Sequence, residues 1–197
     1  MILGITGSIG SGKTTAAKIF GKYHFNSIDA DEIGHKLIKN NKELKNKLVE
    51  ILGNEIIDIN KNINRKKLGD IVFNNYNKLK KLNLIMHPLI INEIKNQIKQ
   101  IQKKCGNKTK IMIDAPLLLE TKTKDLIDKI IVVKCDKEDI MRRLNQKFSQ
   151  EKIERILNAQ MPLEEKLEYA DFVIENSKDL EYLEKQVKGI IQKLNKK

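Results

Sequence analysis

The chain has 197 residues, of which 40% are hydrophobic and 32% charged, and this balance is typical of a globular chain rather than a disordered or fibrous one. No apolar run approaches the length of a membrane span and no basic leader or cleavage site begins the chain, so we expect a cytoplasmic protein. The net charge of +12 could indicate nucleic-acid binding, but lysine is over-used along the whole chain, which favours a solvated lysine-rich surface. Cys105 and Cys135 lack metal-ligand spacing and are interpreted as inert thiols.

The N-terminal half of the sequence predicts two strands followed by several helices. In chain order the predicted elements are a strand over 2–6, a helix from Lys13 to about Tyr23, a strand over 25–28, one or two helices from Asp31 to about Gly53, a loop over 54–64, and helices over 65–73 and 79–101. His87 and Pro88 interrupt the last of these. Because proline lacks an N–H and restricts the residue before it, we expect that helix to end or kink there.

The C-terminal half predicts three more strands. Its elements are a strand over 111–113 ending in Asp114, a strand over 130–133, a helix capped by Asp136 that includes Leu144, a helix over 149–160 capped by Ser149, a strand over 172–174 and a helix over 180–194. Five short apolar strands alternating with helices favour an α/β fold with a doubly wound, five-stranded parallel sheet. The strandless stretch from roughly 55 to 105 is interpreted as an insertion in a single domain.

The segment Gly7–Thr14 matches the phosphate-loop pattern G-x-x-x-x-G-K-S/T and lies between a predicted strand and a predicted helix. Its glycines let the backbone wrap a phosphate, and the following helix contributes its positive end. We expect Lys13 to reach the β- and γ-phosphates of ATP and the Thr14 hydroxyl to bind Mg²⁺. The loop alone leaves three outcomes open: transfer to a metabolite, hydrolysis coupled to a switch, or work on nucleic acid. The N/T-K-x-D motif of guanine-nucleotide switches is absent from the sequence.

Three carboxylates follow predicted strands. Asp29 and Asp31 come just after the second strand and Asp114 ends the third, so we expect all three to face the phosphate loop. A kinase that acts on a hydroxyl needs one carboxylate to accept the proton and often another near the metal. Asp31 is the candidate base and Asp114 the candidate metal residue, although Asp29 and Asp31 could also serve only as helix-capping residues.

These motifs and several others, in order over nearly the whole chain, resemble the dephospho-CoA kinases. The matching stretches are 4–15, 28–31 with His35, 65–68 with Val72 and Phe73, His87 with Pro88, 116–120, Arg143, 149–151, 155–160 and 170–176. Phosphate loops occur in many families, but Asp-Ala-Asp, His-Pro and Pro-Leu-Leu-x-Glu together are specific. The resemblance implies an ATP-dependent kinase that phosphorylates the ribose 3′-hydroxyl of dephospho-coenzyme A, giving coenzyme A and ADP in the last step of coenzyme A biosynthesis.

The same resemblance implies how the single domain is organised. A nucleotide-binding core would comprise about 1–54, 106–140 and 161–197. A helical substrate-binding insertion would cover about 55–105, and a mobile lid about 141–160.

The resemblance also implies roles for individual residues. Asp31 would be the general base, with Lys13 and Arg143 as further catalytic residues, and Arg143 would meet the phosphates or adenine when the lid closes. The expected contacts are Gly10, Ser11, Gly12, Lys13, Thr14 and Thr15 for ATP; Asp31, His35, Arg65, His87, Pro116, Leu117 and Leu118 for the acceptor; and Thr14 and Asp114 for Mg²⁺. Lys147 lies near the position of a second lid arginine that the family usually has, and it lacks the bidentate geometry of arginine.

The alternatives concern both single residues and the whole protein. His87 could be a packed histidine at a helix break, and Arg65 could form only a salt bridge. A kinase of the same fold for a nucleoside monophosphate or shikimate would need more arginines than the four present. A nucleotide-dependent switch acting on nucleic acid would show binding that falls steeply with salt. We expect a monomer or small homo-oligomer with ATP and dephospho-coenzyme A as partners, and neither nucleic acid nor membrane.

Overall fold

The computed structural model describes residues 1–195, so the last two residues of the predicted core segment 161–197 lie outside the described residues. The strands are β1 (Ile2–Thr6), β2 (Asn26–Asp29), β3 (Ile111–Asp114), β4 (Lys129–Lys134) and β5 (Phe172–Glu175). The helices are α1 (Lys13–Gly21), α2 (Ala30–Asn40), α3 (Lys42–Leu52), α4 (Arg65–Phe73), α5 (Tyr76–Cys105), α6 (Lys137–Leu144), α7 (Gln150–Asn158), α8 (Leu163–Glu168) and α9 (Leu180–Asn195).

The five strands form one parallel sheet in the order β2-β3-β1-β4-β5. This confirms the prediction of an α/β fold with a doubly wound, five-stranded parallel sheet. The phosphate loop, Gly7–Thr14, follows the central strand β1. In the register of the sheet Asp114 pairs with Ile5 on one side and with Asp29 on the other. Because parallel strands end at the same edge, the loop and both aspartates lie at one edge of the sheet.

The chain divides into two compact units, of which unit 1 comprises residues 1–29 and those from Gln97 onward. In unit 1, Leu3 and Ile5 alternate toward a core that includes the buried faces of α1 and α9. Gly4 points to the opposite face, where a Cβ atom at this position would lie 2.6 Å from Leu118 Cδ1. The sheet is therefore packed on both faces, as the period-two pattern of its strands requires.

Unit 2, Ala30–Asn96, contains no strand apart from a single antiparallel bridge between Ile57 and Ile63. Its own buried core consists of Leu44, Leu48, Leu52, Ile56, Leu68, Val72 and Met86. Asparagine side chains cap three of its helices: Asn41 accepts from the Leu44 N–H at 2.9 Å, Asn64 from the Lys67 N–H at 3.1 Å and Asn75 from the Lys78 N–H at 3.0 Å. These caps satisfy donors that the first turn of a helix leaves without intrahelical partners.

The predicted interruption at His87 and Pro88 is wrong, because α5 runs continuously through Pro88. A proline at 88 removes the hydrogen bond to the carbonyl four residues earlier, at Leu84. Pro88 is exposed and Leu84 as a whole residue is 67% exposed, so water can hydrate this carbonyl. The local cost is therefore small enough for the long helix to persist.

The remaining helix predictions differ from the structure at their ends. The predicted helix over 149–160 is shorter, ending at Asn158, and Ser149 caps it by accepting from the Lys152 N–H at 3.4 Å. Asp136 occupies the N-cap position of α6 without a side-chain capping bond, and α8 was not predicted. No helix among residues 1–195 is both long and apolar enough to cross a membrane.

Candidate active site

The phosphate loop in unit 1 has the backbone conformation that its glycines allow. Gly10 and Gly12 have φ angles of +75° and +93°, in the left-handed region that side chains disfavour. Gly12 occupies the N-cap of α1 and no side chain caps this helix end, so its first N–H groups are available to an anion. Lys13 is 9% exposed, and its Nζ donates to the Ser8 carbonyl at 3.4 Å, across the loop. This arrangement suits the phosphates of a nucleotide.

A hydroxyl and a carboxylate meet beside the loop. Thr14 Oγ1 donates to Asp114 Oδ2 at 2.8 Å, and Asp114 is 4% exposed at the end of β3. Asp29, its partner in the sheet register, is half-buried. The structure thus brings together the two residues that were predicted to hold a metal. Within residues 1–195 no group of three or more His, Cys, Asp or Glu residues is arranged to hold a metal ion.

The predicted acceptor wall 116–118 is held in place by buried polar contacts. The Pro116 carbonyl accepts from Thr6 Oγ1 at 3.1 Å and from Lys166 Nζ at 2.8 Å. Pro116 and Leu117 are partly exposed, whereas Leu118 is fully buried. Leu118 therefore packs in the core, at the face of the sheet where Gly4 lies.

Lys166 is a fully buried cation that was not singled out from the sequence. Its Nζ lies 2.9 Å from Glu120 Oε1, and the same oxygen accepts from the Met161 N–H at 2.8 Å. The Pro-Leu-Leu-Leu-Glu segment is thus fixed at both ends, at the Pro116 carbonyl and at the Glu120 carboxylate. The structural role of Lys166 is therefore to anchor this segment.

Arg143, on α6, is attached to the phosphate loop. Its Nη1 donates to the Gly10 carbonyl at 3.2 Å and its Nη2 to the Asn176 carbonyl at 2.8 Å. Burial raises the pKa of the nearby Cys135 thiol, and the positive charge of Arg143 acts in the opposite direction. Lys147 is exposed in the turn between α6 and α7. The guanidinium therefore lies at the phosphate loop. The N–H donors that these two bonds do not use remain available for a phosphate.

The predicted residues of unit 2 form their own arrangement. Asp31 and His35 are both exposed and lie one turn apart on α2. Arg65, the first residue of α4, donates from Nη2 to His35 Nε2, which requires that ring nitrogen to carry no proton. His87 is partly exposed in the middle of α5. The helices of unit 2 thus bring His35 and Arg65 together.

Two more residues that contact the phosphate loop were given no role from the sequence. Gln160 accepts from the Ile9 N–H, and Asn176 donates to the Ser11 carbonyl. Both lie within stretches that carry the family resemblance. In the sequence, the signal for these two residues was therefore their presence in those motifs. The contacts themselves join residues more than 150 positions apart.

Comparison with known proteins covers nearly the whole chain. A family described as Dephospho-CoA kinase matches residues 1–181. The dephospho-CoA kinase of Fusobacterium nucleatum is 42% identical over 189 residues, which are 95% of each chain. The crystal structure of TT1252 from Thermus thermophilus is similar with a TM-score of 0.79 and 28% identity, covering 98% of this chain and 97% of that one. Dephospho-CoA kinase from Campylobacter jejuni gives a TM-score of 0.71 and 32% identity, covering 99% and 97%.

Proposed function

Because this chain belongs to the dephospho-CoA kinase family, we propose that it transfers the γ-phosphate of ATP to the ribose 3′-hydroxyl of dephospho-coenzyme A, with Asp31 as the base. The family match over residues 1–181 is the observation that carries the proposal. A phosphate loop with open helix N–H groups supports the use of ATP. The reaction is a kinase step of coenzyme A biosynthesis.

In this proposal the loop residues Gly10–Thr15 hold the ATP phosphates through backbone N–H groups. Phosphoryl transfer needs little covalent chemistry from the protein, so positioning and charge stabilisation supply most of the rate. Lys13 places a positive charge at the β- and γ-phosphates. Arg143 adds a second positive charge. Its two backbone bonds use two of its five N–H donors, so others remain for the phosphates. By analogy with arginine fingers, such a residue is worth about 10³–10⁵-fold in rate.

Thr14 and Asp114 are proposed to hold Mg²⁺. A hydroxyl and a buried carboxylate 2.8 Å apart are oxygen donors of the kind that this ion prefers. Protein sites for Mg²⁺ commonly supply one or two such groups and leave the remaining positions to phosphate and water, so no larger acidic cluster is needed. When bound, the ion would neutralise part of the negative charge of the phosphates.

Asp31 is proposed to orient the acceptor hydroxyl and take its proton. It is exposed in the first turn of α2, which follows β2 directly along the chain. His35, Arg65 and His87 are proposed acceptor contacts, and the Arg65–His35 pair supplies a positive group for the anionic acceptor. The partly exposed Pro116 and Leu117 are proposed to form an apolar wall for the acceptor, whereas Leu118, predicted as a third wall residue, is fully buried and can only support them from the core.

Three further assignments belong to the same proposal. The region 55–105 serves as the substrate-binding insertion, and the remainder outside the lid is the nucleotide-binding core. Residues 141–160 serve as a lid whose last residue, Gln160, stays attached to the phosphate loop through its bond to Ile9. Lys147 takes the place of the second lid arginine as a point charge. The protein works in the cytoplasm, as a monomer or a small homo-oligomer.

The activity is tested by incubating the purified protein with ATP, Mg²⁺ and single acceptors while ADP release is followed. The acceptors are dephospho-coenzyme A, a nucleoside monophosphate and shikimate. We expect turnover above the ATP-only background with dephospho-coenzyme A alone, and a product identical to coenzyme A. Equal or faster turnover with another acceptor, or none with dephospho-coenzyme A, would show that the proposed substrate is wrong.

The role of Asp31 is tested by Asp31→Asn. Since general base catalysis contributes about 10²–10⁴-fold, we expect turnover to fall by that factor while the affinity for ATP is retained. Glu32→Gln is the matched control, because Glu32 is the next residue of α2 and forms an exposed ion pair with Lys36. Near-normal turnover in Asp31→Asn, or an equal loss in both variants, would remove Asp31 from the role.

A further inference from the structure

Two side chains from distant parts of unit 1 bind the backbone of the phosphate loop from outside. Gln160 Oε1 accepts from the Ile9 N–H at 3.2 Å, and Asn176 Nδ2 donates to the Ser11 carbonyl at 2.7 Å. Backbone N–H and carbonyl groups that a loop turns away from its ligand need hydrogen-bond partners elsewhere. Gln160 and Asn176 supply partners that the loop cannot supply itself.

Asn176 is held firmly enough to act as an anchor. It is 8% exposed and follows β5 directly, and its backbone N–H donates to the Lys134 carbonyl at 2.8 Å. A Cβ atom at Gly12 would lie only 2.0 Å from Asn176 Nδ2. The amide therefore fits against the loop at the point where α1 begins, and its position is set by the sheet.

The backbone around Gln160 is also held by hydrogen bonds. It follows α7, and its backbone N–H donates to the Leu157 carbonyl at 3.1 Å. The next residue, Met161, donates its N–H to Glu120 at 2.8 Å. Ile9 itself packs against the apolar cluster formed by α6 and α7. The side chain of Gln160 thus reaches the loop from a backbone that is bonded on both sides.

We propose that Gln160 and Asn176 are positioning residues that hold the phosphate loop in its phosphate-binding conformation before the nucleotide arrives. The inference rests on the proposed use of this loop for ATP. A binding site that is ordered in advance avoids the loss of conformational freedom that binding otherwise incurs. Neither residue touches a reacting atom, and both act through the backbone of the loop.

The first test measures nucleotide affinity and kinetics in Gln160→Met and Asn176→Asp. Gln160→Met keeps the length of the side chain and loses the acceptor, and Asn176→Asp keeps the shape but turns an oxygen toward the Ser11 carbonyl. For one orphaned hydrogen bond we expect the Kd of a fluorescent ADP analogue and the KM for ATP to rise about 10-fold, with the KM for dephospho-coenzyme A unchanged. Asn26→Asp is the matched control, because the Asn26 amide donates to the Lys110 carbonyl, away from the loop.

The second test measures amide hydrogen exchange in the nucleotide-free protein. Gln160→Met should speed the exchange of the Ile9 amide, whereas Gln160→Glu, which keeps an acceptor oxygen, should preserve its protection. Wild-type nucleotide affinity in both Gln160→Met and Asn176→Asp, together with wild-type exchange of the Ile9 amide in Gln160→Met, would overturn the inference and leave the proposed function intact. Absence of nucleotide binding by the wild-type protein would overturn both. An equal loss of affinity in Asn26→Asp would also overturn the inference, because it would assign the effect to general destabilisation.

Discussion

The buried ion pair between Lys166 and Glu120 allows a quantitative stability prediction in which the two partners are unequal. Lys166 is fully buried, whereas the Glu120 side chain is 20% exposed. Each has other hydrogen bonds: Lys166 to the Pro116 carbonyl and Glu120 to the Met161 N–H. Removing the charge of Lys166 therefore leaves a partly exposed carboxylate, whereas removing the charge of Glu120 leaves a fully buried ammonium group.

The magnitudes follow from what each substitution leaves behind. In Lys166→Met the Pro116 carbonyl keeps its bond from Thr6, and Glu120 keeps the Met161 N–H and access to water. We therefore expect a loss of about 2 kcal/mol in the free energy of unfolding, below the range for a fully buried pair. Glu120→Gln leaves a fully buried ammonium group without a counter-charge, which costs about 3–5 kcal/mol.

The assay is urea unfolding followed by far-ultraviolet circular dichroism, since the chain contains no tryptophan. The double variant Lys166→Met/Glu120→Gln provides the control, because neither charge remains unpaired in it. Its loss of stability should be smaller than the sum of the two single losses. An additive double variant, or a loss in Lys166→Met that equals or exceeds that in Glu120→Gln, would refute the reasoning.

Two simpler predictions follow. Gly189→Ala in α9 should raise stability by about 0.5–1 kcal/mol and raise Tm, because nothing lies within 4 Å of a Cβ atom at this position; a lower Tm would contradict the expectation. The exposed Cys105 should react rapidly with a thiol reagent and the buried Cys135 slowly, since burial raises the pKa of Cys135 and lowers its thiolate fraction; rapid reaction that persists in Cys105→Ser would argue against this.

The sequence predicted those features whose causes are local. The phosphate loop is specified by glycines that need particular φ angles, and each strand by a short run of apolar residues. Asp114 could be placed beside the loop because parallel strands end at one edge of a sheet, and the structure brings it to Thr14. The resemblance to a family supplied the acceptor, which no local pattern specifies.

The features that were missed depend on contacts between distant residues. Lys166 is one of 38 basic residues in a lysine-rich chain, and only the structure distinguishes it by burial. Gln160 and Asn176 bind the loop across 151 and 165 positions, respectively. Pro88 was wrongly predicted to interrupt a helix, because its tolerance depends on solvent exposure that the local pattern does not reveal.

The position of β5 at the edge of the sheet has a thermodynamic consequence. Edge strands have a neighbour on one side only, and local opening begins in such weakly held segments. Asn176 follows β5 and bonds to the loop, so opening of this edge also removes a support of the nucleotide site. By linkage, a nucleotide that binds only the closed form must stabilise the edge strand in return. Nucleotide bound at the phosphate loop, which follows the central strand β1, would then slow hydrogen exchange in the edge strand β5.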